Sequence, residues 1–251
     1  MSSRTLCITL LASEWKSSKG GLSTMNREMA IHLAKRLEVS VNFFVPKCSD
    51  EDKRVASNHN VTILEAKERP GFQPVEWLAF PPKDLVIDFV VGHGVILEKQ
   101  EHIIRDYHHC KWMQVVHTAL DELAMYKTNS DAIDKGDEKQ WNELILCQMA
   151  DVVVAVGPKL KEFYAVFLSA CRKEVYNFTP SIFTEMCSLN PSTEKGKKFR
   201  ILVFGRGDSE DFQLKGFDIA AGAPSRSEAR VSEKLMKQGL CRSQLLVKGY
   251  L

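Results

Sequence analysis

Short runs of apolar residues alternate with amphipathic stretches along most of the chain, which predicts buried strands separated by helices. The strands are predicted at residues 5–12, 39–45, 61–64, 86–91, 112–116 and 151–156. The helices are predicted at residues 25–37, 96–107, 138–149 and 159–170. Strands that are apolar on both faces are typical of a parallel sheet covered by helices on both sides. The pattern therefore predicts an α/β fold, a doubly wound parallel sheet, for residues 1–188.

The same pattern restarts after a polar segment at residues 189–198, which is predicted to be a linker. Residues 199–251 then contain two predicted strands, at 199–204 and 245–247, and two predicted helices, at 217–221 and 228–238. No strand fits between those helices, although a βαβ unit requires one. We therefore expect an incomplete second Rossmann-like unit, left by an internal deletion near Gly222-Ala223 and a truncation. The alternative is a small βααβ subdomain that packs on the first domain.

Composition narrows the possible partners and location. The 34 basic and 32 acidic side chains leave a net charge of +2, which gives no electrostatic reason to expect a nucleic-acid partner. The seven cysteines are scattered and contain no C-x-x-C pair, so reduced thiols in a cytoplasmic protein are expected. The apolar run near the N-terminus is too short for a signal peptide or a transmembrane segment.

Three groups of residues could carry chemistry. Gly20 and Gly21 follow the first strand and precede a helix that Ser23 or Thr24 is expected to cap. Glycines there would let a phosphate or sugar oxygen approach the free N–H groups of the helix N-terminus, although a tight turn without a ligand explains them as well. The spacing is neither a G-x-G-x-x-G fingerprint nor a Walker A loop.

His93 and His117 each follow a predicted strand at its carboxyl end, the edge where open α/β sheets bind ligands. Such histidines can donate a hydrogen bond to a sugar hydroxyl or move a proton, whereas a structural histidine would bond to a neighbouring carbonyl. Arg206 leaves the end of a later strand, and Lys215 and Gly216 stand where the next helix is expected to begin. Two cations at a helix N-terminus would suit a diphosphate, while a solvated charged loop is the alternative.

The order of these features resembles the retaining GT-B glycosyltransferases of the family 4 group. The matching stretches are GGLSTMNREMAIHLAK, DFVVGHG, WMQVVHT, ADVVVAVGPKL and ILVFGRGDSEDFQLKGFDIAAGA, in family order as far as about Ala223. The resemblance implies that Gly20 and Gly21 border the donor diphosphate, that His117 and, less closely, His93 face the transferred sugar, and that Arg206 and Lys215 neutralise the pyrophosphate. It also implies a nucleotide-sugar donor, an acceptor of unknown class, no metal ion and no other cofactor.

The resemblance fails in the nucleotide-binding half. Family members hold ribose and sugar with two glutamates seven residues apart, and nothing after Lys215 matches that pattern. Sugar transfer by this chain is therefore expected to be impaired, because much of the donor-binding energy would be absent. Two alternatives remain open. One is a non-catalytic interaction module or pseudoenzyme fragment, whose exposed apolar face self-association or a partner could cover. The other is a sugar-phosphate or nucleotide binder without transfer activity.

Overall fold

The computed structural model describes residues 4–16, 18, 20–94, 97–119, 132–180, 198–205, 216, 219 and 243–250. The chain divides into two compact units. The first unit comprises Met1–Ala124 and Ile133–Ser181, and the second comprises Met125–Ala132 and Ile182–Leu251.

The first unit alternates strands and helices, as the hydrophobic pattern predicts. Its strands are β1 (Leu6–Leu11), β2 (Val39–Val45), β3 (Val61–Glu65), β4 (Phe89–His93), β5 (Lys111–Val116), β6 (Val152–Val156) and β7 (Val175–Phe178). Its α-helices are α1 (Gly21–Leu33), α2 (Asp50–Ser57), α3 (Glu98–His108), α4 (Ala132–Met149) and α5 (Pro158–Leu168). Two 3₁₀ turns, Pro74–Ala79 and Ser169–Cys171, complete the described elements of this unit.

The sheet has seven strands in the order β3-β2-β1-β4-β5-β6-β7, and every neighbouring pair is parallel. The predicted α/β doubly wound fold is confirmed by this topology. The sheet grows in one direction from β1 to β3 and in the other from β4 to β7, so the direction of winding reverses between β1 and β4. Ligands of such sheets bind where the winding reverses, at the carboxyl ends of the strands.

Both faces of the sheet are covered by apolar cores. Leu10 and Leu11 are fully buried but belong to different cores, because successive residues of a strand point to opposite faces. Phe43 and Phe44 repeat this division on β2. A side chain of this size stabilises the fold by about 2 kcal/mol when fully buried. The double burial explains why these strands lack the polar alternation of a one-sided sheet.

The first helix begins four residues earlier than the sequence predicts. Helix α1 starts at Gly21 rather than at Met25, and neither Ser23 nor Thr24 caps it. The N-cap is Gly20, whose φ of 109° and ψ of −161° are accessible to glycine and strongly strained for other residues. The helix also ends early, at Leu33, and Leu37 is 97% exposed.

Helix α2 and strand β7 are missing from the sequence prediction, as is the 3₁₀ turn inside the proline-containing segment 69–83. Helix α2 nevertheless has a local signal that could have revealed it. Ser49 and Asp52 form a reciprocal capping box, in which each side chain accepts a hydrogen bond from the other residue's backbone N–H.

In the second unit, the described residues form a two-stranded sheet of β8 (Lys198–Gly205) and β9 (Ser243–Tyr250). The pairing is antiparallel and begins with Lys198 opposite Tyr250. Neighbouring strands of a doubly wound unit pair in parallel, and this pair differs. The predicted incomplete second Rossmann-like unit stays a prediction, because most of the segment between the two strands lies outside the described residues. The pairing is the one that a βααβ order produces, but both predicted helices lie outside the described stretches apart from Ile219.

Candidate functional site

The residues of the candidate site meet at the carboxyl edge of neighbouring strands β1, β4 and β5. His93 is the last residue of β4, and His117 directly follows β5. The two strands are held in register to their ends, with His93 opposite Val115 and the Gly94 N–H donating to the Val115 carbonyl at 3.0 Å. The β-sheet therefore brings the two predicted histidines to adjacent positions.

The two histidines form a hydrogen-bonded pair. Nδ1 of His93 lies 2.9 Å from Nε2 of His117, and the ring centroids are 5.1 Å apart. One of the two nitrogens must carry the shared hydrogen, so the tautomers of the two rings are coupled. His93 is 2% exposed, and its Nε2 has no hydrogen-bond partner within the described structure. His117 is more accessible and presents its ring at the edge of the sheet.

Burial keeps both rings neutral. It lowers the pKa of His93 well below its usual value, and the neighbouring His117 adds to the effect when charged. It also lowers the pKa of His117 from 6.5 to about 4. A pair of neutral imidazoles can donate and accept hydrogen bonds at neutral pH without attracting an anion through charge. This pair is therefore suited to a polar, uncharged group such as a sugar hydroxyl.

The predicted glycines lie at the same edge of the sheet. Gly20 caps α1, and the helix has no acidic residue in its first turn and no side-chain cap. The first N–H groups of α1 therefore lack both a capping side chain and a local negative charge, which leaves them suited to an anion. Thr24 satisfies the Gly20 carbonyl with its N–H and its hydroxyl, each at 3.2 Å.

Asn26 fixes the start of this helix to the sheet. Its side-chain amide donates to the carbonyl of Leu11, the last residue of β1, at 2.8 Å. Asn26 is 1% exposed. The hydrophobic pattern does not single out this residue, although a buried-face position one turn before Ala30 is an unusual place for an asparagine.

A buried carboxylate supports β4 on the face of the sheet that α3 covers. Glu101 is 0% exposed and accepts a hydrogen bond from Nε1 of Trp112, while Nε1 also lies 3.3 Å from Oε1 of Gln114. The carboxylate occupies the space beside Gly92, where a Cβ atom would lie 0.9 Å from Oε1 of Glu101. Gly92 therefore leaves room for the carboxylate immediately before His93.

A second buried polar network lies beside His117. The hydroxyl of Tyr164 on α5 is 2.5 Å from Oε2 of Glu143 on α4 and 3.4 Å from the carbonyl oxygen of Thr118. Nε2 of Gln140 donates to the same hydroxyl at 3.1 Å. Burial raises the pKa of Glu143 from 4.5 to about 7, against the lowering effect of the Tyr164 hydrogen bond. Burial and the Glu143 charge raise the pKa of Tyr164.

These shifts predict how the substitution Glu143→Gln changes the pH dependence of stability. A carboxyl whose pKa is raised in the folded state stabilises that state most at low pH and loses this contribution as the pH rises to about 7. As the pH falls from 8 to 5, the unfolding free energy of the wild type should therefore gain about 2 kcal/mol from this group, and the glutamine variant should lack that gain. The lowered His117 pKa has the opposite effect, stabilising above pH 6.5 and destabilising as the pH falls toward 4, but it is common to both proteins.

Urea unfolding of both proteins across this pH range measures the difference. Glu51→Gln is the control, because Glu51 is exposed and forms an exposed ion pair with Arg54. Parallel curves for wild type and Glu143→Gln would contradict the prediction.

Of the three residues of the second unit that are predicted to bind the diphosphate, the structure describes Gly216. Gly216 lies in the second unit with a φ of 68°, a conformation that favours glycine. Arg206 and Lys215 lie outside the described residues, so their role stays a prediction. Where the structure is described, no three His, Cys, Asp or Glu side chains form a group that could hold a metal ion. None of the described helices is long and apolar enough to cross a membrane.

The sequence matches one family over nearly its whole length. The model of a family described as family 4 glycosyltransferase in conflict systems matches residues 9–250. The match includes β8 and β9 of the second unit and extends beyond Ala223, where the resemblance to sequence motifs ends. No curated protein matches the chain.

Solved structures resemble the chain at low sequence identity. Sucrose-phosphate synthase from Thermosynechococcus elongatus is 13% identical, with a TM-score of 0.53 over 72% of this chain and 49% of that chain. HepE from Anabaena, in complex with UDP and glucose, is 12% identical, with a TM-score of 0.49 over 74% of this chain and 47% of that one. UGT2 of Phytolacca americana, complexed with UDP-2fluoro-glucose and pterostilbene, is 12% identical, with a TM-score of 0.48 over 74% and 56%. The chain spans about half the length of these proteins.

Proposed function

The chain belongs to the family 4 glycosyltransferases of conflict systems, and from that premise we propose that it supplies one wall of a site for retaining sugar transfer. The donor is a nucleotide diphosphate sugar, and the acceptor carries a hydroxyl. The observation that carries this proposal is the neutral His93–His117 pair at the carboxyl ends of β4 and β5, next to the point between β1 and β4 where the winding of the sheet reverses. A neutral hydrogen-bonding pair fits a sugar better than it fits the phosphates of the donor.

In this reaction the bond between the anomeric carbon and the diphosphate oxygen breaks, and the electron pair leaves with the diphosphate. The acceptor oxygen forms its bond on the same face of the sugar and loses its proton to the departing group. His117 forms a hydrogen bond with a hydroxyl of the transferred sugar, and because its ring is neutral it does not repel the positive charge that develops on the sugar. His93 orients the His117 ring through the 2.9 Å contact between them.

The diphosphate is proposed to bind at the start of α1. The N–H groups that follow Gly20 supply partial positive charge, and the absence of an acidic residue from the first turn avoids repulsion. Separately, for the second unit by itself, Arg206 and Lys215 are proposed to supply full positive charges to a diphosphate, and Gly216 to let the backbone approach it closely. These cations would do the work of a metal ion in stabilising the leaving group, so the proposed reaction is metal-independent.

Transfer by this chain alone is proposed to be weak. The protein is proposed to be cytoplasmic, and the class of its acceptor is left open. The reason is the poor match after Lys215 to the paired glutamates that hold the nucleoside and sugar in the family 4 group. Without those contacts to the nucleoside, less binding energy would be available to lower the barrier to sugar transfer.

A non-catalytic interaction module is the second candidate. It is favoured by a stripe on α4, where Trp141, Ile145 and Met149 are exposed at successive helical turns. Their exposed fractions of 63%, 39% and 38% form an apolar surface of the kind that binds another protein.

Calorimetric titration of the whole chain with UDP, GDP and their sugar conjugates tests the proposal. Binding with a Kd on the order of 1–100 µM is expected for the correct nucleotide, and the double substitution Arg206→Ala, Lys215→Ala should weaken it at least about 30-fold. The matched control is Lys35→Ala, Lys83→Ala, which removes two exposed lysines that precede β2 and β4 and so lie toward the opposite edge of the sheet.

Two results would count against a donor site. One is the absence of binding by a chain that unfolds cooperatively, which would favour the interaction module. The other is an equal loss of binding in both double variants. It would show that the loss of any two positive charges weakens binding, and that Arg206 and Lys215 have no specific contact with the donor.

A further inference from the structure

We infer that Tyr164 is a positioning residue for His117, and that Glu143 determines whether the Tyr164 hydroxyl donates to the Thr118 carbonyl. The inference rests on the proposed function for its catalytic meaning, since His117 is proposed to contact the sugar. The contacts themselves are independent of that proposal. They join α4, α5 and the residue that follows His117.

The network offers the Tyr164 hydroxyl two acceptors for one hydrogen. Oε2 of Glu143 is 2.5 Å away and the Thr118 carbonyl oxygen is 3.4 Å away, while Gln140 already supplies a donor to the hydroxyl oxygen. A phenol has one O–H and cannot donate fully to both acceptors. The direction of this hydrogen bond is therefore set by the protonation of the carboxyl.

The ionised carboxylate takes the Tyr164 hydrogen. In this state the Thr118 carbonyl has no donor from tyrosine. When Glu143 is protonated, its own O–H donates to the Tyr164 oxygen, and the tyrosine hydrogen is released to the Thr118 carbonyl. No bond other than hydrogen bonds changes, and the proton that binds Glu143 comes from solvent.

Burial makes the difference between these states large. Glu143 is 2% exposed and Tyr164 is 0% exposed, so water does not readily replace a hydrogen bond that either of these two side chains loses. Among the described residues, the titratable groups that act on the hydroxyl are Glu143 and Cys147, both on α4, and His117 precedes the Thr118 carbonyl that the hydroxyl faces. The Glu143 carboxyl, with a pKa raised to about 7, is the group that changes charge near neutral pH, whereas the pKa of His117 lies near 4.

The backbone carries the effect to the proposed site. Thr118 is bonded directly to His117, and its carbonyl follows the imidazole along the backbone that leaves β5. A carbonyl anchored by Tyr164 fixes the backbone that follows the imidazole. A carbonyl without that donor leaves the ring held through β5 and the His93 contact alone.

Nuclear magnetic resonance of the whole chain tests this coupling without any donor. The carboxyl carbon of Glu143, the carbonyl carbon of Thr118 and the ring of His117 are followed from about pH 5 to pH 9. All three signals should change with one midpoint near pH 7 in the wild type. Tyr164→Phe should retain the Glu143 titration and abolish the response at Thr118 and His117, whereas Glu143→Gln should abolish the response at all three positions.

The matched control is Tyr176→Phe, which removes the hydroxyl of an exposed tyrosine bonded to Glu174 and should leave every signal as in the wild type. The inference is overturned if Thr118 and His117 still respond in Tyr164→Phe. It is equally overturned if Glu143 does not titrate in this range, or titrates while Thr118 and His117 stay unchanged. A chain that binds no nucleotide but shows the coupled midpoint would refute the proposed function and leave the coupling intact.

Discussion

Replacing Gly92 with alanine is expected to lower the unfolding free energy by about 3–5 kcal/mol, because the new methyl group and the Glu101 carboxylate cannot occupy the same space. The Cβ atom would lie 0.9 Å from Oε1 and 1.9 Å from Cδ of Glu101. A surface carboxylate would swing away at little cost. Glu101 is fully buried, and moving it breaks its hydrogen bond with Trp112.

Denaturant unfolding measures this loss, and Gly21→Ala is the matched control. Gly21 is the first residue of α1, has no atom within 4 Å of a built Cβ and does not have a positive φ. Its replacement should change stability by less than about 1 kcal/mol. In a Glu101→Ala background, the added cost of Gly92→Ala should fall below about 1 kcal/mol, because the two sites are in direct contact. A cost that stays the same in both backgrounds would show that the carboxylate is not the obstacle.

Replacing His117 with asparagine is expected to reduce the turnover of the donor sugar by about 100- to 1,000-fold, with KM within about threefold. Asparagine can still donate a hydrogen bond, but its side chain is too short to reach the position of the imidazole edge. If the ring acts mainly on the developing charge, the loss should appear in kcat rather than in KM. Steady-state hydrolysis or transfer of the nucleotide sugar identified by titration measures both quantities.

His32→Asn is the control for this experiment. His32 lies on α1, is exposed and contacts the carbonyl of Glu28 in its own helix through Nδ1. Its variant should retain wild-type kcat. His93→Asn should show an intermediate loss, since it removes the group that orients His117 without removing His117 itself. Equal rates for wild type and His117→Asn, in protein that still binds donor, would exclude His117 from the reaction.

The strands of the first unit could be predicted from the sequence because both faces of the sheet are covered. A run such as Val39–Val45 is apolar enough to be recognised as a buried strand, and its predicted bounds agree with the structure. The start of α1 could not be predicted in the same way. It depends on the backbone angles of Gly20, which a polar sequence of glycine, serine and threonine does not specify.

The histidines were predicted as separate strand-end residues, but their contact was not. The distance between Nδ1 of His93 and Nε2 of His117 depends on strand register, which the sequence pattern does not give at single-residue precision. The Glu143–Tyr164 contact joins residues 21 positions apart on two helices, and neither residue stands out in its own segment. Such contacts result from packing between elements and leave no local signal.

The all-parallel pairing of the sheet also sets an order for assembly during synthesis. Strand β1 pairs with β2 on one side, and this half of the sheet, through β3, is complete once Glu65 has been made. The other side of β1 must wait for β4, since the N–H of Cys7 is bonded to a carboxylate 81 residues later. Until then, one edge of β1 has no partner strand while the chain is still being made. Because β4 and β5 are made after β1–β3, the histidine pair can form only once His117 has been made. Any factor that protects the emerging chain would therefore act before the site exists, and a nucleotide added during synthesis could not speed the formation of this half of the sheet.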